Sequence, residues 1–176
     1  MGPGDQYNLS PLLLPFDYLQ NFEQHVLLAF TGISRFSTKY AKKQIHNILS
    51  GNTKSQLTEM LSITREALDL FSKQESLKTI GKLLDYSWQL KRSLAEGVSN
   101  SSTDELYASA KKAGAYGGKI LGAGGGGFVM FLAPPEKHQA IKDALGLKVW
   151  VPYKIDTIAF LDFDLPKPIR KFIEEY

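Results

Sequence analysis

The sequence predicts an α+β domain, with about four mostly antiparallel strands and helices packed on one face. Two observations predict it. Solid apolar runs of strand length stand toward both ends of the chain, at His25–Thr31, Phe128–Leu132 and Lys148–Val151. Between the first two, from Thr38 to Tyr116, apolar residues recur at helical spacing and glycines stop the helices. Strands and helices grouped in separate stretches describe an α+β fold. The domain is read as residues 16–165, with a short stretch 1–15 before it and a tail 166–176 holding a short helix.

Taken in order, Met1–Tyr7 is turn-like, Leu12–Pro15 is extended between prolines, and Asp17–Gln24 has room for a short helical turn. His25–Thr31 has the length and composition of a fully buried strand and ends at Gly32. The turn that follows ends in Arg35, whose planar donors suit a phosphate. The same guanidinium could equally satisfy a carboxylate or the next helix. Ala41, Ile45 and Ile48 mark one face of a first helix closed by Gly51. Thr53–Gln56 has the capping-box pattern, and the helix it opens carries Leu57, Leu61, Thr64, Leu68 and Phe71 as its expected core stripe. A helix over Leu77–Leu94 follows, with Ile80, Leu84 and Trp88 in line. Gly97–Ser102 reads as a flexible polar link, and Ser102–Glu105 as a second capping box that opens a helix ending at Gly114. After the strand at Phe128–Leu132, Pro134-Pro135 ends pairing, and Pro135 suits the first turn of a helix closed by Gly146. Lys148–Val151 and Lys154–Phe163 complete the expected strands.

About half of the glycines fall between Gly114 and Gly127, directly before an apolar run. Glycine loses more backbone entropy on ordering than any other residue, so such a cluster answers a geometric need. Either the chain visits positive φ repeatedly, or something large lies against the backbone. A phosphate or nucleotide fits both descriptions, because successive N–H groups in a glycine turn form an anion-binding concavity. Gly122–Gly127 spells the dinucleotide fingerprint, but a strand follows where that motif needs a helix. The protein-kinase glycine loop fails because no VAIK-, HRD- or DFG-like element follows. A Walker A loop fails because Phe128-Val129 stand where Lys and Ser/Thr belong. A tight turn in a packed corner is the remaining structural reading.

Composition excludes other classes. There is no cysteine, which removes disulfide frameworks, thiol nucleophiles and cysteine-zinc sites. His25, His46 and His138 have no partner at metal spacing, so no metal site is expected. The net charge of +3 and scattered lysines permit an anionic ligand but do not argue for nucleic acid. No apolar run approaches a membrane span and no leader pattern opens the chain, so a cytoplasmic protein is expected.

The string from Lys119 to Leu132, Lys-Ile-Leu-Gly-Ala-Gly-Gly-Gly-Gly-Phe-Val-Met-Phe-Leu, resembles the third, C-terminal motif of the GHMP small-molecule kinases. That superfamily phosphorylates galactose, homoserine, mevalonate and related metabolites. Leu27–Ser37 and the Asp-Gln-Tyr element at Asp5 look most like the heptose-phosphate kinases, although an Ala-rich, Gly-Gly stretch of the family is replaced by Asn8–Pro15. The resemblance implies a ferredoxin-like C-terminal kinase domain, with Asp5 as catalytic base and Thr31, Gly32, Ser34 and Arg35 beside the sugar phosphate. It sets Lys119, Gly122, Gly124, Gly125, Gly126 and Gly127 near the nucleotide and its phosphates, and the Gly97–Ser102 link near the sugar as a possible lid. ATP and Mg²⁺ belong to the intact family, whose N-terminal lobe wraps the triphosphate in a serine-rich loop. Residues 1–176 do not contain that loop. The chain is therefore expected to be the C-terminal half of a sugar-phosphate kinase, inactive without its other lobe. The alternative is a stand-alone domain that binds a sugar phosphate or a protein partner. Self-association through an uncovered apolar face is also expected.

Overall fold

The computed structural model describes residues 12–33, 45, 47–51, 53–95, 97–122 and 125–155. The chain divides into two units. Residues 14–153 form one, and residues 1–13 with 154–176 form the other. Of the second, only Leu12, Leu13, Lys154 and Ile155 are described, and none lies in regular secondary structure. The strand expected from Lys154 onward is thus coil at its first two residues, and its remainder lies outside the described residues.

In the larger unit the described helices and strands run α1 (Phe16–His25), β1 (Val26–Phe30), α2 (Lys54–Ser72), α3 (Leu77–Ser93), α4 (Ser101–Ala113), β2 (Gly117–Ile120), β3 (Phe128–Leu132), α5 (His138–Leu145) and β4 (Val149–Val151). The four strands form one antiparallel sheet in the order β2-β3-β1-β4. The α+β expectation holds, with one substitution: Gly117–Ile120 is a strand that no apolar run or alternation in the sequence marks. Ile45 and Asn47–Leu49 are helical, and the rest of that expected helix lies outside the described residues.

Alternation along the strands sends side chains to opposite faces. Leu27, Ala29, Val129, Phe131 and Ile120 join the main core with Tyr107 and Ala110 of α4, Ile141 of α5 and Trp88 of α3. Val26 and Leu132 point the other way, into a smaller cluster with Leu77 and Ile80 of α3. Phe22 of α1 and Phe71 of α2 close that cluster edge to face, their centroids 5.5 Å apart. A helical layer thus covers one face, and part of the other is covered as well.

Two local expectations are corrected. The core stripe of α2 lies about one residue away from Leu57, Leu61, Thr64 and Leu68: Ile63 is its buried residue, while Leu61 and Leu68 are exposed. Both registers carry apolar residues at helical spacing, and contact with α3 selects one. Thr53 stands at the N-cap of α2 without a side-chain cap bond, so no capping box forms there. The second box is set two residues earlier than expected. Asn100 caps α4 by accepting from the Thr103 N–H at 3.1 Å, and Thr103 Oγ1 accepts from the Asn100 N–H at 2.9 Å.

The approach of α3 to β2 explains one of the clustered glycines, Gly117, and the crowding of Gly118 by Met130 and Phe131 of β3 explains a second. A Cβ on Gly117 would overlap the carbonyl oxygen of Gly81 in α3 and come within 2.9 Å of the Asp85 backbone nitrogen. Beside it, the Tyr107 hydroxyl donates to Asp85 Oδ1 at 2.6 Å and accepts from the Gly118 N–H at 3.0 Å. Lys111 Nζ donates to Asp85 Oδ2 at 3.0 Å and to the Tyr116 carbonyl at 2.6 Å. This network pins α3, α4 and β2 together below the glycine turn.

Candidate functional site

The glycine cluster is the connection of the β2–β3 hairpin. The Leu121 N–H donates to the Phe128 carbonyl at 2.8 Å, and the turn between them includes Gly125, Gly126 and Gly127, all at positive φ. Three parts of the chain converge on it. From the end of β1, the Thr31 N–H and hydroxyl both donate to the Gly127 carbonyl, at 2.9 and 2.8 Å, and the Gly127 N–H returns a 2.8 Å bond to the Ile33 carbonyl. From the α3–α4 link, the Val98 carbonyl accepts the Gly125 N–H at 2.8 Å and the Asn100 side-chain amide donates to the Gly125 carbonyl at 2.9 Å. From the last turn of α3, Lys91 Nζ donates to the Gly122 carbonyl at 2.5 Å.

Gly126 is where this packing demands glycine most directly. Its φ is +154°, and a Cβ there would sit 2.7 Å from both Cγ2 and the carbonyl oxygen of Ile33. The two glycine-bearing turns singled out in the sequence, at Thr31-Gly32 and Gly122–Gly127, are therefore hydrogen-bonded neighbours at one end of the sheet.

Their internal bonding changes what each group offers. The N–H groups of Gly125 and Gly127 are occupied by protein carbonyls, so they hold the turn instead of forming an open anion cradle. The Thr31 hydroxyl is likewise committed: it donates to Gly127, accepts from the Ile33 N–H at 3.3 Å, and lies on a buried residue. Gly32 and Gly122 are exposed, and Lys119 is half-buried on β2. Asp5, Ser34, Arg35 and Gly124 lie outside the described residues. The Gly97–Ser102 link is not the free loop its composition suggested. Val98 is fully buried, Asn100 is the cap of α4, and Ser101 and Ser102 already belong to that helix.

Lys91 and the residues around it had no sequence signal. Nothing distinguishes Lys91 from other lysines along its helix, and only the packing of α3 on β2 brings it to the turn. Burial, and then the nearby charge of Lys119, hold the Lys91 ammonium below its ordinary range. The next residue behaves differently: Arg92 pairs with Asp104 of α4 at 2.8 Å, and Asp104 also accepts from the Ser99 hydroxyl. Among the described residues, no three His, Asp or Glu side chains are grouped so as to hold a metal ion, and no helix is long and apolar enough to cross a membrane.

With this geometry in view, residues 64–151 match the family model described as GHMP kinases C terminal, and the chain belongs to that family. It is similar to the D-glycero-alpha-D-manno-heptose 7-phosphate kinase of Campylobacter jejuni, at 30% identity over 139 residues, 78% of this chain and 40% of the relative. It is also similar to the bifunctional fucokinase/GDP-fucose pyrophosphorylase of Arabidopsis thaliana, at 32% identity over 142 residues, 77% of this chain and 13% of the relative. Among solved structures, L. major mevalonate kinase in complex with R-mevalonate superposes with a TM-score of 0.61 at 22% identity, covering 73% of this chain and 41% of that one. At that identity the likeness is one of fold. The chain spans less than half the length of each of these relatives.

Proposed function

We propose that this domain is the C-terminal lobe of an ATP-dependent kinase acting on a sugar phosphate, with a heptose phosphate as the acceptor class. The observation that supports the reading is the hydrogen-bonded convergence of the Thr31 turn and the glycine hairpin in a domain of the GHMP kinase family. In this reading Gly32, Ser34 and Arg35 face the acceptor, Thr31 fixes their turn, and Asp5 is the catalytic base. Lys119 and Gly122–Gly127 line the nucleotide side of the cleft. The described residues do not supply a magnesium site, and the Gly125 and Gly127 donors are engaged, so they do not fit ATP and Mg²⁺ on their own. An N-terminal lobe of the family's kind provides the phosphate loop and the metal ligands. The reading sets the protein in the cytoplasm, where its small-molecule substrates are.

Phosphoryl transfer depends on positioning and charge neutralisation, so a lobe without the phosphate loop cannot sustain it. The 176-residue chain alone is expected to show no magnesium-dependent transfer from ATP in a coupled assay. Turnover that is abolished in Asp5→Asn would overturn the two-lobe reading. Losing Arg35 is expected to weaken binding of a heptose phosphate by roughly tenfold to a hundredfold, from ~1.5–3 kcal/mol per charge-assisted bond, and to leave the unphosphorylated sugar unaffected. Calorimetry on Arg35→Ala reads both ligands. Equal affinities of wild type and variant for the phosphorylated sugar would return Arg35 to the surface-residue reading. If neither the chain nor the chain joined to an N-terminal kinase lobe binds a phosphorylated sugar, the acceptor assignment is wrong.

A further inference from the structure

We propose that Asn100 is a positioning residue for the transfer reaction: its single carboxamide couples the start of α4 to the glycine turn and fixes the orientation of the Gly125–Gly126 peptide. The proposal rests on the kinase reading for its consequence, the loss of transfer when this hold is lost. Asn100 Oδ1 accepts from the Thr103 N–H at 3.1 Å, while Nδ2 donates to the Gly125 carbonyl at 2.9 Å. A helix start alone does not require asparagine, because aspartate and serine cap about as well. A carboxylate, however, has no donor, and a hydroxyl would have to reach both partners from one oxygen atom.

The turn is held from two sides. From the end of β1, the Ile33 carbonyl takes the Gly127 N–H, and the Thr31 N–H and hydroxyl take the Gly127 carbonyl. From the α4 side, the Val98 carbonyl takes the Gly125 N–H and Asn100 takes the Gly125 carbonyl. Among the described residues, Asn100 is the one side chain bonded to that carbonyl. The C=O and N–H of a trans peptide point in opposite directions, so the hold on Gly125 also sets the direction of the Gly126 N–H. The same helix grips β2 farther along. Asn100 meets Gly125, Tyr107 meets the Gly118 N–H, and Lys111 meets the Tyr116 carbonyl. These three positions follow a helical repeat, so α4 lies alongside β2 in the opposite direction and Asn100 extends its hold past the strand to the turn.

The test compares Asn100→Ser and Asn100→Asp, which keep a capping oxygen and lose the amide donor, with Thr103→Val, which weakens the cap and keeps the donor. By NMR of the 176-residue chain, the Gly126 amide nitrogen reads the Gly125 carbonyl to which it is bonded. Its signal is expected to shift in both Asn100 variants and to stay near wild type in Thr103→Val. With the chain joined to an N-terminal kinase lobe, both Asn100 variants are expected to lose about tenfold or more in kcat, with little change in KM for the sugar phosphate. Thr103→Val is expected to keep the wild-type kcat although its thermal midpoint falls. Asn100→Ser carries the comparison if the added charge of Asn100→Asp disturbs the helix start. An unmoved Gly126 signal in Asn100→Ser, or an unchanged kcat, overturns the proposal. Equal kcat losses in Asn100→Ser and Thr103→Val also overturn it, since helix stability would then be the cause. If the joined wild type transfers no phosphate while the Gly126 shifts appear as expected, the kinase reading falls and the hold on the turn stands.

Discussion

Gly117→Val is expected to leave little or no folded protein. The added side chain would have to occupy the space of the Gly81 carbonyl, a backbone atom in the second turn of α3, and Gly81 is packed just as closely against the neighbouring Tyr116, so the two elements meet backbone to backbone with no gap to absorb it. Separating α3 from β2 would also pull Asp85 from Tyr107 and open the core around Trp88, which is 1% exposed. Overpacking of this kind belongs to the rare class of substitutions that cost more than ~4 kcal/mol. Ala108→Val, which places the same side chain on the exposed side of α4, is expected to change stability by less than ~1 kcal/mol. Chemical denaturation of the two variants checks this. A Gly117→Val midpoint within experimental error of Ala108→Val would mean that α3 and β2 do not approach as closely as described.

Tyr107→Phe is expected to cost about 2–3 kcal/mol, although it removes one atom. The phenol is buried, and its oxygen serves both a carboxylate and a backbone N–H. The phenylalanine variant strands the Gly118 N–H in the core and takes a donor from Asp85. Burial, and then the hydrogen bond to Asp85, push the Tyr107 phenol far above its ordinary range. For Asp85, burial raises the carboxyl, but the Tyr107 and Lys111 hydrogen bonds and the Lys111 charge outweigh it, and the net shift is downward. A depressed folded-state value means that the stability contributed is present above the unfolded carboxyl's ~3.9 and is lost as pH falls through the folded value. The stability difference between wild type and Asp85→Asn should therefore be largest near neutral pH and shrink below about pH 4. A difference that stays constant down to pH 2 would show that the carboxylate charge is not what the network uses.

How much of this was written in the chain differs from element to element. Strands β1 and β3 were legible because each is an unbroken apolar run, buried on both faces where the sheet is covered. Helix α3 was legible from its periodicity, and α5 from the Pro135 start and the Gly146 stop. Strand β2 was not, because Gly117-Gly118-Lys119-Ile120 has poor intrinsic strand character. Gly117 is there to let α3 lie directly on the backbone and Gly118 to make room for Phe131 of β3, and those requirements are invisible until the elements meet. The stripe of α2 held at Phe71 and failed at Leu61, Thr64 and Leu68 for a related reason: two helical registers one residue apart were both apolar enough.

At the site, the sequence by itself carried the family motif and a glycine cluster that called either for positive φ or for a close neighbour. Only the tertiary structure decided that Val98 and Ile33 take up the glycine N–H groups, that the supposed loose link is an anchored cap, and that Lys91 donates to the Gly122 carbonyl. The physical reason is the range of the interactions. Backbone conformation and hydrophobic period are local properties of the chain. The partner of a hydrogen bond or a charge is chosen by whichever distant segment the packing of the core brings within about 3 Å.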